Sequence, residues 1–105
     1  MNEVLYKLCR HCVGVMDGWH PYPSTALSKN CGLSLYRTRK ELKKLKEQGL
    51  VVSDMEFLSD EDGNYIIRGY TITEKAKQTE EYLKAWEEEK MLCAVVFGFD
   101  IGEKQ

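Results

Sequence analysis

The spacing of hydrophobic residues predicts four helices and one β-hairpin. Residues 2–16 place apolar side chains three and four positions apart, as one face of a helix requires. Residues 24–31 and 34–48 repeat this spacing. Gly32 and Gly49 follow the two segments and predict their ends, because glycine accepts the positive φ of a helix terminus at little cost. Residues 19–23 contain two prolines and predict a loop or a very short edge strand between the first and second helices.

After Gly49 the hydrophobic period changes. Residues 50–58 and 65–72 are rich in strand formers and flank the polar segment 59–64, which predicts a hairpin. Thr73 is then expected to cap a long fourth helix that runs from Glu74 to about Phe97. The last third of that helix is apolar nearly all round, so it needs a covering surface on more than one side. The alternative is that residues 95–99 fold back as a strand.

The second and third helices form the centre of this pattern. Ser24 and Ser34 are candidate N-caps of the two helices, and Leu42 and Leu45 give the third helix an apolar inner face. Residues 34–48 carry six cations against two carboxylates, a local charge of +4, although the whole chain has a net charge of −2. A helix, a tight glycine turn and a second helix with a basic outer face are typical of a helix-turn-helix.

Two sequence anchors then resemble a known family. The residues Gly32-Leu33-Ser34, Leu42 to Leu45 and Gly49-Leu50-Val51 are similar to the GLS…LxxLxxxGLV pattern of winged helix-turn-helix regulators, particularly the small PadR-like and MarR-like proteins. Tyr70-Thr71-Ile72-Thr73 resembles their signature at the return from the hairpin, which is the wing of such proteins. The resemblance covers residues 24 to about 76, and Ala76 stands where glycine is usual.

The resemblance implies an α+β fold, with three N-terminal helices, a two-stranded β-wing and a long C-terminal helix. It also implies a sequence-specific regulator of transcription, of the repressor type, that binds double-stranded DNA. Near the start of the recognition helix, Tyr36, Arg37 and Lys40 are expected at base edges. Ser34 and the remaining cations are expected at phosphates. The expected DNA-binding residues are Ser34, Tyr36, Arg37, Arg39, Lys40, Lys43, Lys44 and Arg68.

The C-terminal helix is expected to make the protein a homodimer. We predict a single domain over residues 1–105, with a winged-helix core over 1–73 and a dimerisation element over 74–99. The apolar positions expected at the dimer interface are Leu83, Trp86, Leu92, Cys93, Val96 and Phe97.

Composition removes several other classes of function. No apolar run reaches the roughly 18–20 residues of a transmembrane helix, and the N-terminus lacks the layout of a signal peptide, so a cytoplasmic location is expected. The chain shows no catalytic motif and only two histidines, which predicts no enzymatic activity, no cofactor and no metal. The sequence identifies no small-molecule effector.

Two alternatives remain open at this stage. The acidic hairpin tip, residues 60–62, and the acidic run 87–89 favour a winged-helix module that binds proteins without sequence-specific DNA binding. Cys9 and Cys12 have the spacing of a CxxC pair, which permits a thiol- or metal-dependent sensor. Both cysteines also lie on the apolar stripe of the first helix, where buried, unreactive thiols are the expectation.

Overall fold

A computed structural model describes residues 1–16 and 18–98 of the chain. Three helices come first, followed by an antiparallel hairpin and a C-terminal helix, which is the layout of a winged helix-turn-helix. The helices are α1 (Glu3–Cys12), α2 (Ser24–Cys31) and α3 (Leu35–Glu47). The strands are β1 (Val51–Asp60) and β2 (Gly63–Ile72), and the last α-helix is α4 (Glu80–Leu92). The predicted fold class is therefore confirmed.

Helix α1 is shorter than the predicted span of residues 2–16. Asn2 caps its start by accepting a hydrogen bond from the Leu5 N–H (3.0 Å), and the helix ends at Cys12 with Val13 as its C-cap. The next residue is Gly14, which is a poor helix former. After Gly14, the Val15 N–H donates a hydrogen bond to the carboxylate of Glu89 (3.4 Å).

Helix α2 begins differently from the prediction. Pro23, in extended conformation, is the N-cap, and Ser24 is the first helical residue. The Ser24 hydroxyl makes no cap; it accepts a hydrogen bond from Arg39 Nε (3.4 Å) on α3. The other expected signals are confirmed. Gly32 ends α2 at φ 67°, and Ser34 caps α3 by accepting from the Arg37 N–H (3.1 Å).

The hairpin extends further than the sequence indicates. Its two strands pair in register from Val51 opposite Ile72 to Asp60 opposite Gly63, so both strands continue into the polar segment. Ten residues at about 3.3 Å each give a length of roughly 30 Å. Tyr22 adds one isolated antiparallel bridge to Tyr70, in the segment expected to be a loop or a very short edge strand.

The prediction of one continuous helix from Glu74 to Phe97 is wrong. A 3-10 turn (Lys75–Gln78) comes first, and Thr79 then adopts an extended conformation (φ −87°, ψ 156°) that interrupts the helix. The Thr79 hydroxyl accepts from the Tyr82 N–H (3.2 Å) and so caps α4. A π-helical turn (Cys93–Phe97) follows α4 and ends at Gly98 with φ 71°. The alternative of a strand is excluded up to Phe97, and residue 99 lies outside the described residues.

The core lies between α1, α2, α3, the base of the hairpin and α4. Helix α1 crosses the centre and packs on the other three α-helices and on β2. The buried apolar side chains that form one cluster are Val4, Leu5, Leu8, Cys9, Val13, Leu27, Leu42, Leu45, Val51, Tyr82 and Ala85.

Candidate functional site

The inner face of α3 fixes the orientation of the candidate site. Thr38, Leu42 and Leu45 are its buried residues. Thr38 is fully buried. Its hydroxyl donates to the Ser34 carbonyl (3.0 Å), so burial leaves no polar atom unsatisfied. The helix therefore presents its opposite face to solvent.

That opposite face carries the cations expected to contact DNA. Arg37, Lys40 and Lys43 are exposed, and their side chains make no hydrogen bond or ion pair with any other described residue. Tyr36 is 75% exposed in the first turn of the helix. These side chains project from a helix whose inner face is buried in the core. An anionic partner could therefore bind them without breaking an intramolecular contact.

The remaining expected contacts on α3 are partly engaged within the protein. Arg39 donates to Ser24, as described above, and Lys44 forms an exposed ion pair with Glu41 (3.5 Å). Exposed pairs of this kind contribute little to stability, so Lys44 can exchange its partner at small cost. The hydroxyl of Ser34 is occupied as the N-cap of α3.

Arg68 lies on the hairpin face that adjoins α3. Arg68 pairs with Met55 across the strands, so the two side chains lie on one face. Ser53 lies two positions before Met55 on β1 and therefore shares this face. The Ser53 hydroxyl accepts a hydrogen bond from Lys46 Nζ (3.2 Å) at the C-terminal end of α3. Arg68 lines an open groove there with Ser53 and Tyr70. The fold thus brings the single cation of the hairpin to the α3 side.

The residues expected at the dimer interface separate into exposed and buried groups. Leu83, Leu92, Val96 and Phe97 are exposed on α4 and the π-helical turn. Trp86 is half-buried and packs against the core. Cys93 is fully buried within the protomer, so its side chain has no surface to offer a partner.

The cysteines occupy apolar surroundings. Cys9 is fully buried, and this burial, with smaller contributions from Cys12 and Glu81, raises its pKa to about 12. Burial also raises the pKa of Cys12, although the nearby Thr71 hydroxyl (3.6 Å) opposes the shift. A high pKa keeps both thiols protonated at neutral pH, and the thiolate is the reactive and metal-binding form.

No metal-binding cluster is present among residues 1–16 and 18–98. In that part of the chain, no three His, Cys, Asp or Glu side chains come together as ligands. None of its helices is both long enough and apolar enough to cross a membrane.

Two contacts that position α3 and one that positions β1 are absent from the sequence-based predictions. Thr73 Oγ1 donates to the Gly49 carbonyl (2.6 Å), and Lys75 Nζ donates to the Gln48 carbonyl (2.8 Å). Both cap the C-terminal end of α3 from the segment that follows the hairpin. His20 Nδ1 lies 2.5 Å from Glu56 and connects the proline-rich loop to β1.

A further contact depends on Gly69. A Cβ atom at this position would lie 2.5 Å from the Tyr22 carbonyl carbon, because the chain before α2 crosses directly over β2. An isolated glycine inside a strand was the available sequence signal for such a close approach.

In comparisons with known proteins, no family model, curated protein or solved structure matches the chain. The assignment of a winged-helix topology therefore rests on the order and packing of the elements.

Proposed function

We propose that the protein is a sequence-specific double-stranded DNA-binding regulator of transcription, repressor-type, and similar to PadR-like and MarR-like proteins. One observation carries the proposal. The second helix of a helix-turn-helix has its inner face buried in the core, while Arg37, Lys40 and Lys43 project from its outer face without a partner among residues 1–16 and 18–98. A face of this kind suits the major groove of DNA, which admits one α-helix.

In this proposal, base contacts and phosphate contacts come from different parts of α3. Tyr36, Arg37 and Lys40 occupy its first two turns and would approach base edges, where arginine and lysine bind guanine. Lys43 and Lys44 follow one turn later and would neutralise phosphates, with Arg39 and Arg68 beside them. Ser34 would contribute through the cap that orients the first turn.

The proposal includes a homodimer. Leu92, Val96 and Phe97 leave an apolar surface exposed at the end of the chain that the structure describes. A second copy would cover this surface and would place two α3 helices in successive major grooves, about 34–36 Å apart. Because Cys93 is buried within the protomer, the proposed interface excludes it.

The decisive test is a DNA-binding titration over a series of salt concentrations. A helix that neutralises several phosphates releases about as many counterions. The logarithm of the binding constant should therefore fall steeply and linearly with the logarithm of the salt concentration. The first probe is a pool of random duplexes. The preferred sequence is then selected from this pool and titrated in the same way. Failure to bind any duplex at low salt would overturn the proposal.

The second candidate is a winged-helix module that binds proteins and no DNA. The acidic hairpin tip favours it, since a wing that enters the minor groove normally carries cations. Such a module would not bind duplex DNA with an affinity that falls steeply as the salt concentration rises. A thiol- or metal-dependent sensor is the third candidate, and the protonated state of Cys9 and Cys12 speaks against it.

A further inference from the structure

The outer half of the hairpin exposes large apolar side chains. Phe57 is 73% exposed, and its direct partner on β2, Ile66, is 44% exposed. Met55 lies two residues before Phe57 on the same face and is 51% exposed. A groove lined in part by Phe57 and Ile66 opens at this point.

This apolar stripe continues the buried face of the sheet. Val51 and Ile72 pair at the base of the hairpin on the same face as Met55 and Phe57, and Val51 is fully buried. Beyond Val51, this face carries the exposed polar side chains of Ser53 and Arg68 and then the exposed apolar side chains of Met55, Phe57 and Ile66. Single exposed apolar residues are ordinary, whereas a cluster of three large ones marks an interaction surface.

The charge beside the stripe specifies its partner. Residues 51–72 carry five carboxylates and one arginine. Asp60, Glu61 and Asp62 form the tip beside the stripe, whereas Asp54 and Glu56 lie on the opposite face of the hairpin and Arg68 lies on the face of the stripe. Such a tip repels DNA phosphates. It also repels a second copy of the same hairpin, because two acidic tips would face each other. A cationic surface is the complementary one.

The edge of β1 offers backbone groups to that partner. In the described residues β1 pairs only with β2, so its other edge carries no strand. The Met55 N–H there donates to the side chain of Asp54 (2.8 Å), a partner that the carbonyl of an incoming strand can replace. An extended peptide can add to a free edge of this kind and place alternate side chains on the two faces.

We propose that the outer hairpin is a docking site for an extended basic and apolar segment of a partner protein. The segment pairs with the edge of β1. Its apolar side chains cover Met55, Phe57 and Ile66, and its cations meet the acidic tip. This inference does not depend on DNA binding by α3. Arg68, which faces Met55 across the strands, belongs both to this surface and to the proposed DNA contacts.

The test uses two synthetic ten-residue peptides with blocked ends, one alternating lysine with valine and the other alternating glutamate with valine. Each is titrated into the isotopically labelled full chain, followed by backbone NMR. The lysine peptide should bind and shift the amides of residues 53–59 and 64–68. The glutamate peptide should bind at least about tenfold more weakly, because its charge repels the tip.

Three variants locate the binding site. Phe57→Ser should weaken the lysine peptide about tenfold, as the loss of a central aromatic contact does. The pair Glu61→Gln and Asp62→Asn should weaken it and flatten its salt dependence, while Asp60 still holds the turn through the Asp62 N–H. Tyr36→Ser, an exposed aromatic on α3, is the matched control and should leave peptide binding unchanged.

Several results would overturn the inference. These are no binding of the lysine peptide at millimolar concentration, equal binding of both peptides, or shifts centred outside the hairpin. Loss of duplex binding in folded Phe57→Ser would make the hairpin a DNA contact instead. Conversion of a dimer to a monomer by the same variant would assign the surface to a second copy. Duplex binding by wild type, measured separately, keeps a failure here distinct from a failure of the proposed DNA-binding function.

Discussion

Arg10 on α1 and Glu89 on α4 form an ion pair of 3.1 Å in which the carboxylate is almost completely buried. The same carboxylate also accepts the Val15 N–H that follows α1. The pair therefore joins the first and last α-helices and the loop between α1 and α2. Removing one partner of a buried pair leaves a charge in an apolar site without compensation.

We expect Arg10→Ala to lower the free energy of unfolding by about 2–4 kcal/mol, since Glu89 would lose its countercharge. The measurement is urea unfolding at neutral pH. Lys7→Ala is the matched control, because Lys7 pairs on the same helix with the exposed Glu3 (3.9 Å) and should cost under about 0.5 kcal/mol. Equal effects of the two variants would contradict a structural role for Glu89.

Substitutions on α3 should separate base contacts from phosphate contacts. Arg37→Ala or Lys40→Ala should each cost about 1–3 kcal/mol for the preferred duplex and reduce discrimination against others. Lys43→Ala or Lys44→Ala should weaken all duplexes alike and reduce the salt slope by about one. All four side chains are exposed, so thermal stability should not change. Identical behaviour of the four variants would reduce α3 to a nonspecific cationic surface.

Sedimentation should show a homodimer of the intact chain. Val96→Asp places a charge on the exposed apolar surface of the π-helical turn and should shift the equilibrium to the monomer. Tyr36→Asp, at an exposed position on α3, is the control and should leave the mass unchanged. A monomeric wild type at micromolar concentration would remove the dimer from the proposal.

The buried thiol of Cys9 predicts a loss of stability at alkaline pH. Its pKa is about 12 in the folded chain, above the ordinary value of 9.0. The protonated thiol therefore contributes fully below about pH 9, and the contribution is lost as the pH rises toward 12. Unfolding free energies of wild type and Cys9→Ala should converge over this range. If the unfolding free energies of the two proteins instead change in parallel with pH, the pKa of Cys9 is not raised in the folded chain.

The double variant Cys9→Ala and Cys12→Ala addresses the sensor alternative. If both are packing residues, stability should fall by about 1–3 kcal/mol while DNA affinity of the folded protein survives. Stoichiometric zinc in purified wild type would support a sensor instead, as would loss of DNA binding on mild oxidation.

Local signals made much of this fold predictable. Ser34, Gly32 and Gly49 act on the backbone within a few residues, so their effects can be read without knowledge of the tertiary structure. The caps of α3 and the hydrophobic spacing of its inner face follow from those positions. The exposure of Arg37 and Lys40 follows from the same spacing.

Contacts between distant segments were not predictable in the same way. Gly69 and Tyr22 approach each other only because the proline-rich loop crosses the hairpin, and the sequence gives no distance between them. The break at Thr79 was missed because the helical spacing of residues 76, 79 and 83 continues across it. Cys93 was assigned to a dimer surface because residues 91–97 are apolar all round, and hydrophobic spacing does not select which side faces the core.

The opposite charges of α3 and the hairpin form an electric dipole between these two elements, although the net charge of the chain is only −2. Residues 34–48 carry +4 and residues 51–72 carry −4, and the acidic tip stands roughly 30 Å from the hairpin base that adjoins α3. A molecule with this dipole rotates in the field of a polyanion before contact, so that α3 leads and the hairpin trails. Most encounters would then begin in an orientation close to the final one.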